Sequence, residues 1–358
     1  MFSGLIALLY VAAAPAAPCV TAVPECTEWV ALGRGPSRSL VYRNFPLDRR
    51  NDAITRVFVL VHGAGRNADD YFLSAAAAAF LAGALETTLV ISPRMASNDG
   101  RGCRDPLGER ETSWHCNSWR SGGPALSDST VTSFDFLDQI LRTISRKQLF
   151  PNVQVIVVAG HSAGGQVVNR YAMANRVHES LGVPVRYVVS NPSSYAWPAA
   201  DRPTARAWSL TANAPGYTAE PGDDSTAFRP MGEGRGCTSY DQWPYGMQNR
   251  SGYVTGQSDE QLRKQLAGRL VTYLLGELDI LPLGGFDGSC AAMAQGPTRL
   301  ARGQAFAKYV NEKLGGKHTV TVVPLCGHNA RCMFTANVAL PLIFPKPGED
   351  RVATPARH

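Results

Sequence analysis

The stretch Gly160-His161-Ser162-Ala163-Gly164 limits what this chain can fold into more than any other part of it. The apolar run Val153 to Ala159 comes directly before it, and Gly165 to Ala172 continues with helix-compatible residues. Strand, G-x-S-x-G and helix in succession predict a turn so sharp that flanking side chains would collide. Gly160 and Gly164 carry none, so the chain can pass Ser162 and enter a helix at once. The serine hydroxyl is then held at the tip of a sheet, with a helix N-terminus behind it that favours negative charge. This context points to Ser162 as a nucleophile rather than as one residue of an ordinary tight turn.

The remaining composition fits a globular chain with a sizeable core. It has 358 residues, 44% hydrophobic and 18% charged. Net charge is +6, yet only six of the 35 basic residues are lysine. No Lys/Arg run or basic face with interleaved aromatics occurs, which speaks against nucleic acid as a partner and for an Arg-rich surface. Residues 1–17 are apolar and end in small residues, as in a secretory signal, although no Lys or Arg precedes the run. Residues 18–358 then form a single domain, secreted or periplasmic, expected to be a monomer without stable membrane insertion. Eight cysteines, an even number, suit disulfides in an oxidising compartment. Proximity suggests Cys19–Cys26, Cys103–Cys116, Cys237–Cys290 and Cys326–Cys332, among the 105 pairings possible in principle. The cysteines are scattered with no C-x-x-C, so no metal site is expected.

Strand-like and helix-like segments alternate. Strands are expected at Ser39–Tyr42, Arg56–Val61, Thr88–Ile91, Val153–Ala159, Val185–Val189, Arg269–Leu275 and His318–Val323. Several are unbroken Val, Ile and Leu runs, as in strands buried on both faces of a parallel sheet. Helices are expected at Ala68–Leu85, Ser133–Lys147, Ser258–Ala267 and Thr298–Leu314, giving a doubly wound α/β fold. Two stretches interrupt it. Residues 95–126, rich in Gly, Arg and Trp, read as a stapled surface loop. Residues 191–256 hold many aromatics among Gly and Pro, and read as a cap-like insertion over the site or as one packed on the domain edge.

A serine hydroxyl needs a base within hydrogen-bond reach. His328 follows the last strand in Leu325-Cys326-Gly327-His328, at the carboxyl end of the sheet where such folds build their sites. His62 is better explained by its turn. His161 is expected to point away from the nucleophile. His318 begins a strand and so falls at the opposite end, while His115, His178 and His358 occupy loop, helix-end and tail positions. Asp279, after the strand ending Leu274-Leu275-Gly276, is the favoured acid to orient His328. Glu277, a strand-end charge, and Asp287, a turn residue, are its rivals. Backbone donors for an oxyanion are expected at Ala163 and in His62-Gly63-Ala64-Gly65, with Ala64 favoured and Gly65 second.

The order Ser, Asp, His, the elbow Ala159 to Gly165, Gly276 to Asp279 and Gly327-His328 resemble the α/β-hydrolase superfamily of serine esterases. Val61 to Ala68 resembles the oxyanion loop of secreted esterases related to polyhydroxyalkanoate depolymerases and feruloyl esterases. The resemblance spans nearly all of the chain after the signal. It implies hydrolysis of a carboxylic ester through an acyl-enzyme, without a cofactor, and leaves open whether that ester is a small molecule or a polymer. The same triad cleaves amides, and some members of this fold are non-catalytic binding modules, so both remain as alternatives.

Overall fold

The computed structural model describes residues 17–204, 209–210, 219–220, 228–231 and 236–345. All of the expected signal segment but Ala17 lies outside the described residues. The large sheet contains β1 (Thr27–Ala31), β2 (Arg38–Arg43), β3 (Arg56–Val61), β4 (Thr88–Pro93), β5 (Val155–His161), β6 (Val185–Ser190), β11 (Leu270–Gly276) and β12 (Thr319–Val323). Their order is β1-β2-β4-β3-β5-β6-β11-β12. The β1–β2 and β2–β4 pairs are antiparallel; all others in this sheet are parallel. Outside it, β7 (Asp201–Pro203) pairs with β10 (Phe228–Pro230), and β8 (Ser209–Leu210) with β9 (Ala219–Glu220). This is the α/β-hydrolase fold.

Alternation along β5 explains the layering. Ile156 and Val158 point into one apolar cluster, and Val155, Val157 and Ala159 into the other. Helices α2 (Ser133–Ile144), α3 (Ala163–Ala174), α4 (Asp259–Gly268) and α6 (Arg299–Leu314) contribute to the first, and the short α5 (Cys290–Met293) lies between β11 and α6 in the chain. Helices α1 (Ala68–Leu81), α7 (Ala330–Thr335) and α8 (Leu340–Ile343) contribute to the second. With both faces covered, every β5 residue is buried, so continuous apolar runs are what the positions require.

The helix ends follow local chemistry. Thr132 and Asp135 form a reciprocal capping box at α2. Thr298 caps α6, and Gly315 ends it in the left-handed region. Helix α1 stops at Leu81, before the expected Leu85, because Gly83 turns the chain with φ +63°. Strand β5 runs two residues further than expected, into His161. Strand β1 was not expected; it pairs only with β2, at the sheet edge.

All four cysteine pairs expected from proximity are bonded in the structure. The 95–126 stretch is stapled as expected, but it is not merely a surface loop. Trp114 and Trp119 within it are fully buried, because large indoles lose most by staying in water. In the 191–256 insertion, Tyr195 and Trp197 pack against Phe306, and Tyr253 donates to the buried Asp138 carboxylate at 2.9 Å. These described parts pack on the domain. Residues 205–208, 211–218, 221–227 and 232–235 lie outside the described residues.

The elbow is the least forgiving part of the fold. A Cβ at Gly164 would stand 2.1 Å from the Val61 carbonyl oxygen, and one at Gly160 2.2 Å from that of Gly164. Both obstacles are backbone and cannot swing aside. Gly164→Ala is therefore expected to cost about 3 kcal/mol or more, measured as a fall in the denaturant midpoint. A variant as stable as the parent would refute this account of the turn.

Candidate active site

The parallel strands deliver their carboxyl ends to one rim. Val61 pairs with Gly160, His161 with Ser190, and Gly276 with Val323, so the loops after β3, β5, β6, β11 and β12 emerge side by side. Ser162 is the first residue beyond β5, at φ +59° and ψ −119°. Its amide donates to the Ser190 carbonyl at 2.9 Å, anchoring this strained conformation to β6.

The structure brings Ser162, His328 and Asp279 together. His328 Nε2 lies 2.9 Å from Ser162 Oγ, and His328 Nδ1 lies 2.7 Å from Asp279 Oδ2. A carboxylate only accepts, so Nδ1 carries the proton and Nε2 is free to accept the serine O–H. Asp279 is 2% exposed, and its other oxygen accepts from Arg299 Nη1 at 3.0 Å. Arg299 is itself fully buried and also donates to Ser193 Oγ and to the Leu283 and Gly284 carbonyls. The carboxylate is thus clamped between an imidazole and a guanidinium. The rivals are placed elsewhere: Glu277 accepts from the Leu325 amide, and Asp287 accepts from Tyr245 Oη at 2.7 Å.

Asn191, just beyond β6, holds the loops that carry Asp279 and His328 together. Its Oδ1 accepts from the Gly276 amide at 2.8 Å, and its Nδ2 donates to the Gly327 carbonyl at 3.4 Å. Neither Asn191 nor Arg299 was signalled by the sequence, since each looks like any polar residue after a strand or at the start of a helix.

His161 corrects its expectation. It does not point away from Ser162; it lines the same cavity, and its ring lies 4.5 Å from that of His328. Its Nδ1 is 3.1 Å from the Tyr71 hydroxyl, and burial holds it neutral by pushing its pKa well below the usual value. Strand β5 extends through His161, so its side chain alternates onto the α1 face where Tyr71 waits.

His62 positions the loop after β3, where an oxyanion donor is expected from the sequence. Its Nε2 accepts from the Met95 amide at 2.9 Å, so Nδ1 is the donor to the Gly63 carbonyl at 2.8 Å. With the Gly63 carbonyl held there, and also accepting from the Arg66 amide at 3.1 Å, the trans peptide directs the Ala64 N–H to the opposite side. Arg66 secures the next carbonyl, that of Ala64, at 2.8 Å and is paired with Asp105. Ala163 opens α3 immediately after Ser162.

The model of the alpha/beta hydrolase family matches residues 58–339. The chain belongs to that family. No curated protein matches the sequence. Among solved structures, the chain is similar to a poly(3-hydroxybutyrate) depolymerase from Bordetella parapertussis, with 19% identity, a TM-score of 0.56, and coverage of 87% of this chain and 85% of that one. It is also similar to poly(aspartic acid) hydrolase-1 from Sphingomonas sp. KT-1, with 19% identity, a TM-score of 0.54, and coverage of 88% and 98%.

Two clefts of this hydrolase meet at Ser162. The larger, about 540 Å³, is lined by His161, His328, Asn67, Asp70, Tyr71 and Arg331, among others. The smaller, about 230 Å³, is lined by Ala163, Arg120, Gln166, Ser193, Phe286 and Asp287, with Ala64 shared by both. Asp287 is thus a cleft residue as well as a turn residue. Among the described residues no group of three or more His, Cys, Asp or Glu side chains could hold a metal ion, and no helix is long and apolar enough to cross a membrane.

Burial lowers the His62 pKa from 6.5 to about 4. The unfolded chain then binds a proton that the folded chain refuses between pH 6.5 and 4. Stability should fall as pH drops through that window, by about 3 kcal/mol from this residue alone. Urea midpoints measured across it should decline less steeply in His62→Gln; an equal slope would show that His62 does not carry the linkage. The Cys326–Cys332 bridge encloses His328. Replacing both cysteines by serine is expected to cost about 2 kcal/mol and to lower the hydrolytic rate, checked by thermal melting and an ester assay on the same sample.

Proposed function

We propose that this hydrolase cleaves carboxylic esters through an acyl-enzyme intermediate, with Ser162 as nucleophile, His328 as general base and acid, and Asp279 as the group that orients His328. The unbroken hydrogen-bond path Ser162 Oγ–His328–Asp279, at 2.9 and 2.7 Å, is the observation that carries this reading.

Ser162 Oγ attacks the ester carbonyl as His328 Nε2 takes its proton. The imidazolium that forms is stabilised by Asp279, while Arg299 keeps that carboxylate in place. The Ala163 and Ala64 amides receive the oxyanion. Such donors act strongly because they are preset, and removing one typically costs about 2.7–4 kcal/mol. His328 then protonates the departing alcohol, and a water deprotonated by the same ring releases the acyl group. His161, held neutral against the His328 ring, adds no competing positive charge to the imidazolium.

The leaving group must reach His328, which lines only the larger cleft. The alcohol portion therefore occupies that cleft and the acyl portion the smaller one. The four disulfides agree with a secreted or periplasmic protein. The depolymerase among the similar structures supports an ester as the bond attacked, by fold alone. We place the chain as a monomer with residues 1–17 as its signal and residues 191–256 as a cap-like insertion.

Ser162→Ala is expected to reduce hydrolysis of a 4-nitrophenyl ester by at least 10⁴-fold while leaving the thermal midpoint nearly unchanged. A fluorophosphonate should label Ser162 in the parent and not in the variant. Matched ester and amide substrates separate the esterase from the amidase reading. Full activity in Ser162→Ala would refute the mechanism.

A further inference from the structure

The smaller cleft is lined by an arginine whose guanidinium has no hydrogen-bond or ion-pair partner among the described residues. Arg120 lines it, and its Nε is buried without a hydrogen-bond partner. No hydrogen bond or ion pair of its guanidinium is found among the described residues; it stands only against the ring of its neighbour Trp119, at 5.7 Å. Its backbone is fixed, because the Arg120 carbonyl accepts from Arg170 Nη1 at 3.1 Å.

The surrounding charges sharpen the imbalance. Arg170 and Arg302 are buried at 1% and 0% exposure close to the same cleft. Their hydrogen bonds go to carbonyl oxygens, Ser194 Oγ and the Met293 sulfur, not to carboxylates. Asp287 is the carboxylate whose field reaches Arg120, Arg170 and Arg302 alike. Asp279 is already occupied by Arg299 and His328. One aspartate therefore faces three guanidiniums, an excess of two positive charges, with Arg170 and Arg302 buried and Arg120 partly exposed. Buried charge of one sign is costly unless paired, and desolvation correspondingly lowers the pKa of all three arginines. Of the three, Arg120 is the one that lines the cleft.

We propose that the smaller cleft selects an acyl group ending in a carboxylate, so that the preferred substrates are half-esters of short dicarboxylic acids. Arg120 pairs with the free carboxylate while Ser162 attacks the esterified one. Gln166 and Ser193 line the cleft as polar neighbours, and Phe286 supplies an apolar wall for the methylenes between the two carboxyl groups. Asp287 stays tied to Tyr245 and to the Ser289 amide, and its charge is shared among the arginines rather than presented to the ligand alone. The chemistry is ordinary ester hydrolysis: the acyl–alkoxy bond breaks, water supplies the new hydroxyl, and a dicarboxylate and an alcohol result. The inference rests on the ester-hydrolase reading and on the acyl group occupying the smaller cleft.

The test compares monobenzyl glutarate with benzyl hexanoate, which has a similar acyl length and no charge. The parent should favour the glutarate in kcat/KM by tenfold or more, as expected for a charge-assisted pair. In Arg120→Gln that ratio should collapse toward one, and Arg120→Lys should restore part of it. A ratio near one in the parent, or an undiminished ratio in Arg120→Gln, overturns the proposal while leaving the esterase reading intact. Binding of monobenzyl glutarate to Ser162→Ala, followed by calorimetry, separates the two claims. Binding lost in Ser162→Ala/Arg120→Gln supports the anion site even if no ester is turned over, and equal binding of the charged and uncharged esters refutes it. Failure of the parent to hydrolyse either ester or to take a fluorophosphonate would count against the esterase reading instead.

Discussion

Everything at the rim depends on one backbone conformation that a serine adopts only under compulsion. Ser162 sits at φ +59° and ψ −119°, a region costing of order 1–3 kcal/mol. The turn persists because its neighbours leave no alternative. Gly160, Gly164 and Gly165 press against the carbonyls of Gly164, Val61 and Ser190, and the Ser162 amide is bonded to β6. The parallel sheet thus acts as a clamp, and the strain places Oγ where an imidazole from β12 can reach it.

The remaining parts of the site are held by the same logic of shared anchors. Asn191 joins the ends of β11 and β12 through Gly276 and Gly327. Arg299 joins α6 to Asp279 and to the 283–284 loop. His62 joins β3 to Met95 and sets the carbonyl before Ala64. Each contact fixes two loops at once, so the geometry of Ser162, His328, Asp279 and the Ala64 and Ala163 amides is set together rather than piece by piece. A proposed hydrolytic cycle gains from this, since preset groups need no reorganisation as charge develops.

Much of this was legible in the sequence because topology does the sorting. Once β5 is known to feed the elbow, residues after parallel strands must gather at the same end. That alone placed Asp279 and His328 beside Ser162 and sent His318 to the far end. The misses have physical causes. His161 was misjudged because the strand ran to it, which fixed its side by alternation. Arg299 and Asn191 carry no local pattern, since their partners are far away in sequence. The Gly and Arg around Trp114 and Trp119 give the stretch a surface-loop composition that masks two residues which must be buried. Strand β1 pairs with one strand only and has intermediate burial, so it lacks the apolar run that marks the interior strands.

The arginines show how far composition can mislead. An excess of arginine over lysine reads as a basic surface, yet Arg170, Arg202, Arg299 and Arg302 are among the largest fully buried side chains. Arginine suits that role because its planar fork can bond several carbonyl oxygens at once, whereas an ammonium is a strongly hydrated point charge. Arg202 illustrates this, donating to the carbonyls of Ala199, Asp201, Tyr240 and Tyr245. These cations organise irregular loops that strands and helices cannot. Near Ser162, Arg170 and Arg302 do a second thing. A buried positive field on the Gln166 and Ser193 side lowers the energy of any negative charge arising there, whether the oxyanion of the proposed intermediate or a carboxylate brought in by the substrate. Loop architecture and charge preference would then share one cause.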